Sequence, residues 1–174
     1  MPERTYMRIG IIIVVLVCCF SAAQTPKQIT GKYSNPALGY EITIPEGLTA
    51  TTDSQGGQEK GFTISVASGG AISVYGEANT SGWKAPIDGI KHFLGVEKCD
   101  SVRQQSTGFM RMGRLTATKG TLMCGDRAVE ALLTFHPGNG PIYWITLRTT
   151  AQKRIEDEAV FNKLAPTFQL ISAQ

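Results

Sequence analysis

The chain has 174 residues, 17 of them basic and 14 acidic; 42% of its residues are hydrophobic and 18% charged. That length fits one domain with a full core. A formal net charge of +3 is too small to argue for nucleic acid or a membrane surface as the partner.

Residues 1–23 have the three-part layout of a secretory signal peptide. Arg4 and Arg8 form a basic start, Ile9 to Phe20 an apolar run, and Ser21-Ala22-Ala23 a small-residue cleavage site before Gln24. As a helix, the stretch between Arg8 and Gln24 would reach roughly 22 Å, short of a ~30 Å hydrocarbon core. Length therefore favours a cleaved signal over a permanent anchor. Cys18 and Cys19 raise a third reading, a lipid anchor, but each follows a residue other than the small one usual before a modified cysteine. The expected location is exported, periplasmic or secreted, with no membrane contact after cleavage. Removing the segment leaves 15 basic and 13 acidic residues.

Residues 24–32 read as a polar, flexible lead-in, and 33–174 as a single α+β domain. Tyr40, Ile42 and Ile44 alternate with Glu41 and Thr43, and Pro45 stops the run. Phe62, Ile64 and Val66 alternate with Thr63 and Ser65, and Ile72 and Val74 with Ser73 and Tyr75. These period-2 patterns predict half-buried strands. Ser68-Gly69-Gly70 joins the last two as a hairpin turn, and Gln55-Gly56-Gly57-Gln58 is a loop before them. From Pro86 to Val96 the period changes. Ile87, Ile90, Phe93 and Leu94 share one side of a short helix, with Pro86 in its first turn, while Gly89 and Gly95 weaken it.

Gln105 to Met123 predicts two strands with a turn near Lys119-Gly120. Arg127 to Phe135 is a strand with Val129, Ala131, Leu133 and Phe135 on one face. The turn cluster His136 to Pro141 leads to a strand over Ile142 to Thr150. Trp144 and Leu132 fall opposite the main apolar set, so this pair is expected to be covered on both faces. Asp157 to Leu164 is a helix, with acidic residues at its start, where negative charge is favoured. Pro166 ends it, and Phe168 and Leu170 form an apolar tail. The order implies an antiparallel sheet of about six or seven strands with helices packed on it.

Two stretches carry a family resemblance. Tyr33-Ser34-Asn35-Pro36-Ala37-Leu38-Gly39-Tyr40-Glu41-Ile42-Thr43-Ile44-Pro45 resembles the opening of PsbP-like domains. Ile142-Tyr143-Trp144-Ile145-Thr146-Leu147, then Asp157 to Leu164, then Thr167-Phe168, resembles their last strand, helix and terminal Thr-Phe. Gly47-Leu48 departs from the pattern, where many relatives carry a Trp. The resemblance implies an α/β/α sandwich. It also implies a role in binding or assembly, because the family includes a photosystem extrinsic subunit, a nuclear-transport factor and exported bacterial proteins. No functional residue carries over from it.

The residues offer no catalytic, cofactor-binding or metal-binding set. His92 and His136 are isolated, and a metal site needs clustered ligands. There is no GxSxG, GxGxxG or GxxxxGK[ST] motif. Asn79-Thr80-Ser81 is a glycosylation sequon, used only in a eukaryotic source. Cys99 and Cys124 are the two cysteines left after processing and are expected to form a disulfide.

Three residues are candidate partner contacts. Trp83, before Lys84 and Pro86, is an exposed-looking aromatic, read either as an anchor for a partner or, as such residues more often behave, as packing over the edge of its own sheet. Arg111 and Arg114 lie in Ser101 to Gly125, which also holds Arg103 and Lys119 and no acid. That segment is either a basic patch for an anionic protein partner or, as the residues favour, a solvated strand pair neutralised by Asp100, Asp126 and Glu130. The expectation is an exported, non-enzymatic binding or assembly module. The alternatives are a secreted hydrolase with a constellation invisible in sequence and a small-molecule carrier.

Overall fold

The computed structural model describes residues 26–52, 61–101, 103–138 and 140–172. The expected signal segment and the Gln55–Gln58 loop lie outside these residues.

In chain order, the first strands are β1 (Gln28–Ile29), β2 (Lys32–Asn35), β3 (Tyr40–Thr43), β4 (Ala50–Thr52), β5 (Gly61–Ser65) and β6 (Ala71–Glu77). Helix α1 (Pro86–Val96) follows. Then come β7 (Arg103–Met112), β8 (Leu115–Cys124), β9 (Arg127–Phe135) and β10 (Ile142–Thr150). Helix α2 (Arg154–Leu164), a 3-10 turn over Ala165–Thr167 and β11 (Gln169–Leu170) close the domain.

The α+β class holds, but the sheet is larger than six or seven strands. Eight strands run in the order β1-β4-β5-β6-β10-β9-β8-β7, and β11-β3-β2 form a separate small sheet. The extra strands are short ones the alternation test misses. Gln28–Ile29, inside the lead-in, pairs with Ala50–Thr51 of β4. The Tyr40 run belongs to the small sheet rather than the large one.

β9 and β10 are central and buried along most of their length. Strand alternation divides their side chains between two cores. On one face Val129, Leu133, Ile142 and Trp144 meet Ile90 and Leu94 of α1. On the other, Leu132, Tyr143, Ile145 and Leu147 meet Phe161 and Leu164 of α2 together with the small sheet. Trp144 and Leu132 therefore lie on opposite faces, since Trp144 is registered against Leu133.

The two stretches that carried the family resemblance meet in the second core. Tyr40 stacks on Phe168 with ring centroids 5.6 Å apart and meets Tyr143 edge-on at 5.5 Å. Thr167 Oγ1 donates to the Thr43 carbonyl at 3.0 Å and accepts from the Thr43 N–H at 3.1 Å. Tyr143 donates its hydroxyl to the Leu38 carbonyl at 2.8 Å.

The turn expected at Lys119-Gly120 falls instead at Gly113-Arg114, between Met112 and Leu115. Gly113 has φ +57° and a Cβ there would sit 1.8 Å from the Phe168 carbonyl oxygen, so only glycine fits. Gly120 lies mid-strand because α1 packs against it. A Cβ at Gly120 would be 2.5 Å from Ile90 Cγ2, and one at Gly89 2.3 Å from Leu133 Cδ2. The two glycines let helix and sheet approach closely.

Helix α2 begins at Arg154, three residues before the expected Asp157. Asp157 is 2% exposed, and its carboxylate accepts hydrogen bonds from Ser68 and Thr149. It fastens α2 to the β5–β6 turn and to β10 rather than serving as a solvated first-turn charge.

Candidate partner-binding surface

Among the described residues, strand β7 is one edge of the large sheet and pairs only with β8. Its residues Gln104 to Phe109 are exposed, because α1 rests on β8 and β9. Phe109 is 81% exposed. It follows Gly108 in a stretch whose even positions, Met110 and Met112, turn toward the α2-side core. Alternation leaves Arg103, Phe109 and Arg111 on the α1 face.

Arg111 and Arg114 are both exposed, one at the end of β7 and the other at the hairpin tip. Among the described residues neither has an ion-pair partner. Arg114 also lines a surface hollow of about 590 Å³ between the hairpin tip and the β11 segment, with Leu115, Pro166 and Phe168.

Trp83 is half-buried rather than exposed. Its ring meets Trp144 edge-on at 6.0 Å and lies 5.7 Å from His92. The aromatic set continues through Phe93 and Tyr75, at 5.4 and 6.1 Å from Trp144. Trp144 Nε1 donates to Glu77 at 2.9 Å. Burial of the Tyr75 hydroxyl raises its pKa to about 12. The Asn79 side chain, first residue of the sequon, bonds both the N–H and the carbonyl of Trp83. Trp83 thus packs over its own sheet, the alternative weighed from the sequence.

Trp83 and the hairpin nevertheless share a face. The cross-strand row Phe109–Thr118–Leu133–Trp144 runs along it. At about 5 Å per strand, Trp83 and Phe109 lie on the order of 10–15 Å apart. Phe109 is the surface aromatic that sequence reasoning missed. Its signal was a large apolar residue next to glycine in a run with no clear alternation.

The basic segment divides in the folded chain. Lys119 points to the α2 face, 2.8 Å from Glu130 Oε2 and 2.6 Å from Glu158 Oε1. Arg154 Nε donates to Glu130 Oε1 at 2.7 Å. Glu130 is fully buried, and its Oε2 takes the ammonium as an ion-pair contact without an aligned hydrogen bond. Burial alone would lower the Lys119 pKa, but the close carboxylates of Glu130 and Glu158 raise it. Burial likewise pushes Glu158 up, and Lys119 and Arg154 overcome that and hold it below the ordinary carboxyl value. Of the three expected neutralising acids, Glu130 pairs with Lys119. Asp100 and Asp126 form no ion pair among the described residues.

Arg103 donates to the Glu97 carbonyl at 3.3 Å, while the Glu97 carboxylate bridges Arg127 and Arg148. Cys99 and Cys124 form a disulfide, with Cα atoms 5.6 Å apart. It ties the segment after α1 to the far end of β8. His92 and His136 are not brought together: His92 lies against Trp83 on the α1 face, and His136 against Tyr143, which faces α2. Burial of the Tyr143 hydroxyl raises its pKa to about 12.

An eight-stranded antiparallel sheet with one helix on each face and a small sheet at one side has a solved counterpart. The chain is similar to the solution structure of cyanobacterial PsbP (CyanoP) from Synechocystis sp. PCC 6803. The TM-score is 0.53 at 15% sequence identity, covering 89% of this chain and 98% of that one. The fold is PsbP-like. No family model matches the sequence, and no curated protein matches it. The likeness therefore speaks to the PsbP-like architecture alone. Among the described residues, no helix is long and apolar enough to cross a membrane.

Proposed function

We propose that the chain is an exported, non-enzymatic binding or assembly module that engages an acidic protein partner through the β7–β8 hairpin. The observation that carries this reading is the pair Arg111 and Arg114, exposed and without an ion-pair partner among the described residues, beside the exposed Phe109. An apolar ring flanked by arginines is a composition enriched at protein interfaces. The PsbP-like fold supports the same reading by analogy of architecture. The export component rests on residues 1–23.

The test is capture from the native exported fraction, with wild-type protein and an Arg111→Glu/Arg114→Glu variant as baits. A specific protein retained by wild type is expected to be lost from the variant and to elute with moderate salt. Equal retention by both baits, insensitive to salt, returns the hairpin to plain surface.

A further inference from the structure

We propose that the free edge of β7 accepts an extended acidic segment of the partner protein as a ninth strand of the large sheet. This deepens the binding reading above and rests on it.

An edge strand presents unpaired N–H and C=O groups on alternate residues. Natural sheets blunt such edges by shortening them, by bulges, by proline or by charged side chains. The opposite edge of this sheet follows the rule, since β1 is only two residues long. β7 carries charge only at Arg103 and Arg111, near its two ends. It has ten residues, pairs with β8 residue for residue from Arg103↔Cys124 to Met112↔Leu115 without a bulge, and contains no proline. Its middle, Gln104 to Phe109, is covered by neither helix.

Side chains then select the occupant. Phe109 stands between Arg103 and Arg111 on the α1 face, about 7 Å from the latter along the strand. A strand laid beside β7 with an apolar residue next to Phe109 and carboxylates next to the arginines forms favourable cross-strand pairs. A second copy of this chain does not. Paired antiparallel about Thr107, two copies set Arg103 opposite Arg111 at both ends. In any register they bring together segments with no acid between Ser101 and Gly125. Main-chain bonds would supply affinity and the alternating side chains specificity, as in other strand additions.

The probe is a synthetic Thr-rich peptide as long as β7, with Glu at the two places facing Arg103 and Arg111 and Val at the place facing Phe109. Binding to the full chain is read by fluorescence anisotropy, and its location by amide hydrogen exchange. Exchange protection is expected to rise along β7. Affinity should fall at least about tenfold in Arg103→Glu/Arg111→Glu and return with a Lys-for-Glu peptide. Two N-methylated peptides, blocked on alternate sets of amides, separate the ladder from side-chain attraction: one set should abolish binding and the other leave it intact. Equal binding of both overturns strand addition, as does unchanged affinity in the folded double variant. A chain dimer in sedimentation that the peptide dissociates replaces the proposal with self-pairing. Absent peptide binding with retained capture of an acidic protein through Arg111 and Arg114 sinks the strand and leaves the module reading. Loss of both sinks the surface altogether.

Discussion

Lys119 lies mid-strand in β8 and holds its ammonium between Glu158 and the fully buried Glu130. Removing one partner of a buried pair leaves a charge without compensation, at a cost of about 3–5 kcal/mol. Lys119→Met is expected near the lower end, because Arg154 still contacts Glu130; urea unfolding measures it. The same cluster sets a pH dependence. Glu158 has a depressed folded pKa, so its contribution is complete above the ordinary 4.5 and is lost as pH falls through the folded value. Lys119 has a raised one, so its contribution is complete below 10.5 and is lost as pH rises through the folded value. Melting temperature against pH should therefore fall less steeply at the acid end in Glu158→Gln than in wild type. Of this cluster the sequence pointed only to Glu130 as a neutralising acid; its full burial and the Glu158 contact were not legible. Lys119 and Glu158 are thirty-nine residues apart, and a lysine beside a glycine reads as a turn until the carboxylates that draw it inward are known. Trp83 looked exposed in the sequence for a similar reason, since its burial depends on Trp144, which is remote in sequence.

At the scale of elements, the glycines of α1 show how packing overrides propensity. A Cβ added at Gly95 would meet nothing within 4 Å, whereas one at Gly89 would press on Leu133 and Trp83. Gly95→Ala should stabilise the protein by about 0.5–1 kcal/mol. Gly89→Ala gains the same propensity but must displace a packed Leu133 and Trp83, and overpacking costs about 1–3 kcal/mol. Thermal unfolding of the two variants should shift in opposite directions. Elements whose period is set by one buried face were readable: β5, β6, β9, β10 and α1 stand where alternation or helical spacing put them. Of the strands of two to four residues only β3 was, from Tyr40, Ile42 and Ile44; in the others so short a run carries no measurable period. The β7–β8 boundary was missed because its turn is dictated by the Phe168 carbonyl pressing on Gly113, a contact made across the whole domain.

For the molecule as a whole, the Cys99–Cys124 bridge closes a loop spanning 25 positions and contributes roughly 3–4 kcal/mol in the chain-entropy model. Cys99→Ser/Cys124→Ser should lower the melting temperature by roughly 6–16 °C, with little change in the β7–β8 surface. Compartment and cysteine count were enough to foresee this pairing, and the structure places both residues at the end of the sheet away from the Gly113-Arg114 tip. The sheet is built from two meanders, β4-β5-β6 and β10-β9-β8-β7, and among the described residues the only main-sheet ladder between them is β6 with β10. Everything from Ala78 to Pro141 must be looped out before that seam can close, which makes it the slow, non-local event of folding. The disulfide lies inside that loop and short-circuits part of it. A shorter effective loop closes at less entropic cost, so the oxidised chain should refold roughly twofold faster than the reduced one. Stopped-flow refolding of the two forms reads that ratio directly, and the faster rate shortens the time for which the apolar faces of β9 and β10 stay open to proteases and to other chains.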